Sequence, residues 1–428
     1  MDKKLLSWSS IVAADAFFQI STTGKKIKTK ECLPQGKYPV VDQSQDYITG
    51  YIDDSSKLIE INEPVVVFGD HTRVVKWVEF NFVAGADGVK VLKSLPYLVP
   101  RFSYYQLQAL DIPNKGYSRH FKFLKELEFF IPPLLEQKNI AQKLDTLLSQ
   151  VNSIKSHLDK IPQVLKQFRQ SVLSAAVSGK LTNNYDQNIW SKKKLNELCI
   201  SVSDGDHQAP PRSQIGIPFL VISDISNGSI NFKNINRWVP EDYYLSLKAI
   251  RKPQQNDILY TVTGSFGIPV IVEKNKQFCF QRHIAIIKPN HEIINYRFLY
   301  YFLASPIVFS QAEKLATGTA QKTVSLSSLR TFEISVPSLE EQTEIVRRVE
   351  KLFAWADSIE KQVIQAQQRV NNLTQSILAK AFRGALTEQW RKDNPDLISG
   401  ENSAESLLKK IKAERELAVP EKRGRKKS

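Results

Sequence analysis

The chain has 428 residues, 42% of them apolar and 24% charged, with a formal net charge of +15. That length accommodates roughly two or three domains with cores of their own, and the composition excludes a disordered or collagen-like chain. No run of about 18 uncharged apolar residues occurs, so no membrane-spanning helix is expected.

The opening segment, MDKKLLSWSSIVAADAFFQI, is interrupted by Ser7, Ser9, Ser10 and Asp15, and a secretory leader would need a cleaner apolar run. Cys32, Cys199 and Cys279 are far apart, which fits a reduced cytoplasm and argues against a disulfide framework or a zinc site. Residues 1–135 carry about +2, 136–185 about +4, 186–335 about +5, 336–390 about zero and 391–428 about +4. A spread excess of this kind favours approach to a polyanion through counterion release. Charge alone leaves open a basic protein with no such partner.

In chain order, residues 1–135 hold short β-branched and aromatic runs such as EPVVVFG and RVVKWVEFNFV, and predict a mixed, strand-rich domain. Residues 136–182 predict a long helix. Its apolar positions Ile140, Leu144, Leu147, Val151, Ile154, Leu158, Ile161, Leu165, Phe168 and Val172 alternate steps of four and three, the period of a coiled-coil seam. Pro162 removes one backbone donor inside this helix and predicts a kink there, or two helices end to end. The unbroken phase of the pattern favours the kink. Residues 183–335, with IPFLVIS and IPVIVE, form a second strand-rich domain, its turns marked by Asn227-Gly228, Gly264 and Gly267. Residues 336–390 predict a second long helix with Ile345, Val349, Leu352, Ala356, Ile359, Val363, Ala366, Val370, Leu373 and Ile377 on the same seam. Glu136, Glu340, Glu341 and Glu344 sit in first turns and Gly179 and Gly384 follow the last apolar positions, as helix ends prefer. Residues 391–428 read as a basic tail, starting as a weak helix and ending in a solvated cationic run.

The two helices are copies. Residues 131–182 align with 336–387 without a gap at an offset of about 205, and roughly 16 of the 52 pairs are identical, beyond what chance gives at one register. IPPLLEQ faces VPSLEEQ, and FRQSVLSAAVSGKLT faces LTQSILAKAFRGALT. The expected fold class is therefore α+β: two strand-rich domains separated by two long helices, packed as an antiparallel coiled coil with an internal pseudo-two-fold repeat. Two unlike readers held apart by a rigid spacer would suit a bipartite DNA site. A coiled-coil scaffold spacing two protein-binding modules, without DNA recognition, has the same outline.

The duplicated segments, with DGDHQAPP (204–211), NDILYTVTGSFG (256–267) and TGTAQKTVSLSSLRTFEISVP (317–337), resemble the specificity subunits of type I restriction–modification enzymes, the HsdS family. In the first domain GKYPVVDQSQDYITGYI and FGDHTRV resemble that family more loosely; the DGDH-type opening and the GTAQK run are missing, and GYSRHFKF (116–123) stands near the latter's place. The resemblance implies two target-recognition domains, each reading one half of an interrupted, asymmetric site in double-stranded DNA. It also implies helices that fix the spacer and dock two modification subunits, which carry S-adenosylmethionine and methylate adenine, with two restriction subunits joining them. On this reading the chain is not an enzyme and binds no cofactor; S-adenosylmethionine, ATP and magnesium belong to the partners.

The motifs agree. There is no G-x-x-x-x-G-K-[ST] loop, no H-E-x-x-H and no Asn/Asp-Pro-Pro-aromatic run of the kind an amino-methyltransferase carries. Asp204, Asp206 and His207 could offer ligands to a metal, but such clusters more often form turns and no distant third ligand can be named, so no metal site is expected. Asp70 and His71 could be a base and its orienter, but no nucleophile is identifiable beside them. The DNA-contact candidates are loop residues at matching places in the two domains. In the first domain they are His71, Arg73 and Lys76 with Ser118, Arg119 and His120. In the second they are Thr263, Gly264 and Ser265, then Arg282 and His283, then Gln321, Lys322 and Thr323. Arginine and glutamine can read purine edges bidentately, whereas lysine more often finds phosphate.

Overall fold

The β-branched runs become strands and the seam patterns become helices in the computed structural model, which describes residues 8–86, 88–116, 118–182, 190–205, 209–226, 228–273, 276–319 and 321–418. In chain order the first domain contains β1 (Ser9–Val12), β2 (Phe17–Ile20), β3 (Lys26–Ile27), β4 (Tyr38–Val41), β5 (Gly50–Ile52), β6 (Val65–Gly69), β7 (Val75–Val78), β8 (Val83–Gly85) and β9 (Val89–Ser94). Helices α1 (Pro100–Ala109) and α2 (Phe121–Glu126) and strand β10 (Glu128–Ile131) lead into the long helix α3 (Leu134–Val177). The second domain contains β11 (Ser191–Lys194), β12 (Cys199–Asp204), β13 (Ile217–Leu220), the hairpin β14 (Ile225–Ser226) and β15 (Ser229–Ile230), β16 (Trp238–Val239) and α4 (Glu241–Ser246). It continues with β17 (Ile258–Thr261), β18 (Pro269–Ile271), β19 (Cys279–Phe280) and β20 (Ile284–Pro289), then α5 (Tyr296–Leu303), α6 (Pro306–Leu315), α7 (Leu326–Arg330) and β21 (Glu333–Val336). The long helix α8 (Leu339–Phe382) follows, and α9 (Glu388–Asp393) and α10 (Ala404–Ala418) close the described chain.

Strand order is the same in the two domains where it matters. The main sheet of the first is β2-β9-β6-β7 and that of the second is β12-β20-β17-β18, every neighbour antiparallel. A smaller sheet mixes parallel and antiparallel pairs: β3-β8-β4-β5 in the first domain and β16-β13-β19 in the second. In each domain the first strand returns to pair with the last, β1 with β10 and β11 with β21, so the strand entering each long helix is tied to the start of its domain.

The chain divides into two compact units, Met1–His157 with Ala366–Ser428, and Leu158–Gln365. In the first unit Phe102, Phe129 and Leu92 share a core with Ile140 and Leu144 of α3 and with Leu378 and Phe382 of α8. In the second, Tyr260, Phe298 and Phe332 share a core with Val172 and Ala176 of α3 and with Ile345 and Val349 of α8. Each globular domain is thus built onto a segment of both long helices, one of them distant in sequence.

The repeated EQ and LT motifs explain how. Glu136, fully buried, accepts hydrogen bonds from the Thr387 hydroxyl (2.7 Å), Arg391 Nη1 (2.6 Å) and Trp8 Nε1 (2.9 Å). Its repeat partner Glu341 accepts from the Thr182 hydroxyl at 2.8 Å. Lys143 donates to the Leu386 carbonyl (3.0 Å), and Arg348 to the Leu181 carbonyl (2.7 Å). Gln137 donates to the Pro132 carbonyl and accepts from the Val99 amide; Gln342 does the same with Pro337 and Asn295. Arg101 with Asp145 (2.7 Å) and Arg297 with Glu350 (2.6 Å) fasten α1 and α5 to the long helices at equivalent positions. In every reciprocal pair one copy's opening motif meets the other copy's closing motif.

Both long helices span 44 residues, and α3 is continuous through Pro162, so it does not break into two helices end to end. They start at Leu134 and Leu339 and stop short of residues 182 and 390, where Gly179 and Gly384 adopt left-handed backbone (φ 73° and 75°) and end the regular turns. On the seam, the heptad series Leu144, Val151, Leu165 and Val172 is buried, as is Val349, Ala356, Val363 and Val370. Leu158 of the first series is only half-buried; in the other series Ile140 and Ile345 are buried, Leu147, Leu352 and Ile359 are half-buried, and Ile154 is 47% exposed, so it is not an interior seam residue. In the second unit Phe168 meets Trp355 edge-on and Arg169 bonds Asp357 (2.7 Å) and Glu360 (3.3 Å).

The segment expected to be a solvated tail is partly core. Leu407 and Ile411 of α10 are buried with Phe129 and Leu378, and Arg415 pairs with Asp15 at 2.5 Å. The pattern Leu407–Leu408–Ile411 has helical spacing but is short beside the surrounding lysines, which hid it. Residues 419–428 lie outside the described residues. No helix among the described residues is long and apolar enough to cross a membrane.

Candidate nucleic-acid interface

In the second domain the β17–β18 connection runs from Val262 to Ile268 and is shaped by Gly264 (φ 69°) and Gly267 (φ 90°). The Thr261 hydroxyl donates to the Ser265 carbonyl (2.7 Å) and accepts from the Ile268 amide (3.0 Å), closing the loop on itself. A segment before α7 then clamps it. Val324 N–H donates to the Val262 carbonyl (2.8 Å) and Gly264 N–H to the Lys322 carbonyl (2.9 Å). The Gln321 amide lies against Gly264, where a Cβ would come within 3.0 Å of it. A third segment, the turn before β20, joins them, because the Val262 amide donates to the His283 carbonyl (3.0 Å).

These three segments enclose a cleft of about 440 Å³ lined by Asp204, Thr263, Arg282, His283, Thr323 and Ser325, among others. Gly264, Ser265, Arg282, Gln321 and Lys322 are exposed at or beside it. Thr263 is buried and bridges to Thr323, so it holds the loop instead of presenting a side chain. Burial, and then the positive charge of Arg282, lower the His283 pKa from its ordinary value and so favour the neutral imidazole, which has one donor and one acceptor nitrogen. The cleft mixes cation, anion, hydroxyls and imidazole, a donor-and-acceptor lining suited to base edges more than to phosphate alone.

The first domain puts its loop in the same place. After β6 the chain turns through Asp70–Val74, with Arg73 in left-handed backbone (φ 63°). His120 N–H donates to the Asp70 carbonyl (2.7 Å), matching the Val324–Val262 bond of the second domain, and Phe121 N–H donates to Asp70 Oδ1 (2.7 Å). Two of the candidate segments are thus brought together here as well. The His71 amide donates to Gln43 Oε1 (3.1 Å) and the Thr72 hydroxyl to the Gln43 carbonyl (2.6 Å). A cleft of about 600 Å³ beside Thr72 and Arg73 is lined also by Asp111, Ile112, Thr374 and Gln375.

Several first-domain candidates are consumed by the fold. Lys76 is buried, bonded to the Asp46 carbonyl and 3.7 Å from Asp42, and burial holds its ammonium below the usual lysine range despite Asp42. His120 is buried: its Nε2 accepts from the Lys115 amide (3.3 Å), which leaves Nδ1 to donate to the Asp70 carbonyl (3.0 Å). Arg73 donates to the Ile112 carbonyl (3.0 Å). Lys76 and His120 are therefore scaffold residues and not surface contacts. Ser118 is half-buried, His71 partly exposed and Arg119 exposed. Charge and loop position selected these residues, but neither reveals that a neighbouring carbonyl has already claimed the donor.

Sequence reasoning missed Gln43, whose amide and carbonyl organise the first loop, and Arg330, whose guanidinium donates to the Val202 carbonyl (2.7 and 3.2 Å). No local motif marks either one. Among the described residues no group of three His, Cys, Asp or Glu side chains could hold a metal; Asp206 and His207 lie outside them.

A family model described as the type I restriction modification DNA specificity domain matches residues 11–163 and 188–367, both halves of the chain. The chain is 46% identical over 316 residues to the EcoBI specificity subunit, a type I restriction enzyme component of Escherichia coli, across 69% of this chain and 66% of that one. It is 37% identical over 333 residues to the Escherichia coli EcoDI specificity subunit, across 71% and 72% of the two chains. The chain thus spans 66% of the length of the first of these relatives. The fold is similar to that of a chain in a structure of a type I R-M system (TM-score 0.65, 17% identity, 88% of this chain and 98% of that one). It is also similar to the HsdS subunit from Thermoanaerobacter tengcongensis (TM-score 0.54, 18% identity, 89% and 97%). With one family model matching 11–163 and again 188–367, well over half of the chain, the chain belongs to the family of type I restriction–modification DNA specificity proteins.

Proposed function

We propose that this chain is the DNA-reading subunit of a type I restriction–modification complex. Each strand-rich domain, 1–135 and 183–335, reads one half of an interrupted, asymmetric site, and the long helices, packed as an antiparallel coiled coil with a pseudo-two-fold repeat, set the spacing. The observation that carries this reading is one loop arrangement present twice: the connection after β6 or β17, clamped by the segment before α2 or α7. Two such elements on one chain, with different side chains, suit two different half-sites.

Two modification subunits dock along the helices and supply S-adenosylmethionine and adenine methylation; two restriction subunits join them and use ATP and magnesium. The chain itself performs no chemistry and works in the cytoplasm. Ile154, Trp355 and Leu373, between 43% and 57% exposed on the long helices, support docking there, since exposed apolar surface favours burial against a partner. Single-molecule mapping of adenine methylation, with and without this gene, tests the proposal. Loss of one interrupted, asymmetric motif is the expected result. An unchanged methylome, together with DNA binding that does not weaken as salt rises, would leave the helices as a scaffold for protein modules.

A further inference from the structure

Resting on that reading, we propose that Arg282 is the principal base-reading side chain of the second domain, and that the neighbouring Lys322 is a phosphate contact without sequence information. The inference comes from which donors the fold leaves open. Around this cleft Arg330 spends its guanidinium on the Val202 carbonyl, and Arg251 lies 3.7 Å from Asp204. Lys288 is buried against Asp257 at 2.5 Å, and Lys252 donates to the Leu245 carbonyl. Arg282 instead lines the cleft, is exposed, and sits on a turn held rigid on both sides. The Gln281 amide donates to the Leu220 carbonyl and the Ile284 amide to the Gln281 carbonyl, each at 3.0 Å. A rigid backbone under a planar, two-pronged donor is what bidentate reading of a guanine O6/N7 edge requires.

The surroundings agree. Burial and the charge of Arg282 both disfavour the protonated form of His283 beside it, which works against a second positive charge at this place. Asp204, 3.7 Å from Arg251, lines the same cleft, so the wall near Arg282 holds acceptor oxygens as well as donors. Lys322 lies outside the cleft lining, on the exposed clamp segment next to Gln321, where a flexible point charge meets backbone more readily than a base edge.

The test uses the full chain expressed with its adjoining modification subunit in a host free of adenine methylation, followed by methylation mapping and DNA titration over a salt series. Arg282→Ala and Arg282→Lys should both relax the motif at one base pair of one half-site. Discrimination there should fall by roughly tenfold or more, because lysine keeps the charge but loses the fork. Lys322→Ala should keep the motif unchanged, weaken binding uniformly and flatten the logarithmic salt dependence by about one unit. Thermal melting of each variant identifies any misfolded one; should Arg282→Ala be so, Arg282→Lys carries the test. Full stringency at every position in the folded Arg282 variants, or relaxation in Lys322→Ala instead, overturns the assignment. A wild-type complex that methylates no motif and binds DNA without preference overturns the underlying reading, and the assignment with it.

Discussion

Replacing Glu136 by alanine probes the reciprocal joint between the repeats. The carboxylate is fully buried and accepts from Thr387, Arg391 and Trp8, and the Arg391 side chain that faces it is only 13% exposed. Removing the acid leaves a mostly buried guanidinium with its remaining bonds to the Gly384 carbonyl and the Thr387 hydroxyl. Breaking a buried pair this way costs about 3–5 kcal/mol, and the surviving bonds place the expectation near the low end, about 3 kcal/mol. The repeat-related change, Glu341→Ala, removes a bond to the Thr182 hydroxyl from a less buried carboxylate, with an expected cost of about 1 kcal/mol. Denaturant unfolding of the full chain measures both. The double variant Glu136→Ala/Arg391→Ala should recover part of the loss, because no stranded cation remains, giving a coupling of about 1–3 kcal/mol. Equal costs at Glu136 and Glu341, or a double variant less stable than Glu136→Ala by the full cost of a second independent change, would refute the argument that the buried charge pair dominates this joint.

Lys288→Met should destabilise the second unit by about 3–5 kcal/mol, since it strands the buried Asp257, whose carboxyl pKa burial already raises. A raised folded-state pKa means the folded form holds its proton more tightly, so this variant should regain stability as pH falls through that pKa, measured by denaturant midpoints at a series of pH values. Ile411→Ala should cost about 2–4 kcal/mol, and truncation after Ser403 should lower the melting temperature of the first unit, because α10 completes its core; a free tail would show no change. Gly205→Ala should lower stability in thermal melts by more than Gly116→Ala does. A Cβ at Gly205 would lie 2.0 Å from the Phe280 carbonyl oxygen, whereas Gly116 has open space and loses only about 1 kcal/mol for its left-handed backbone.

The elements that sequence determined are those set by near neighbours. The four-and-three apolar rhythm required long helices, because side chains at those spacings lie on one face wherever the helix goes. Short β-branched and aromatic runs required strands, and the gapless repeat required that both helices serve one architecture. The clustering of Thr263, Arg282, His283 and Thr323 was legible only as matching loop positions, and the cleft they form depended on the β17–β20 pairing. Which candidates remain open was decided by tertiary structure: Lys76 and His120 look like Arg119 and Lys322 in sequence, yet carbonyls and carboxylates across the fold claim them. The same holds for the joint. Nothing near Glu136 announces Thr387 or Arg391, and only folding brings groups more than two hundred residues apart within bonding distance. A buried charge is stable only where a partner arrives, and that arrival is a property of the packed chain and not of any window within it.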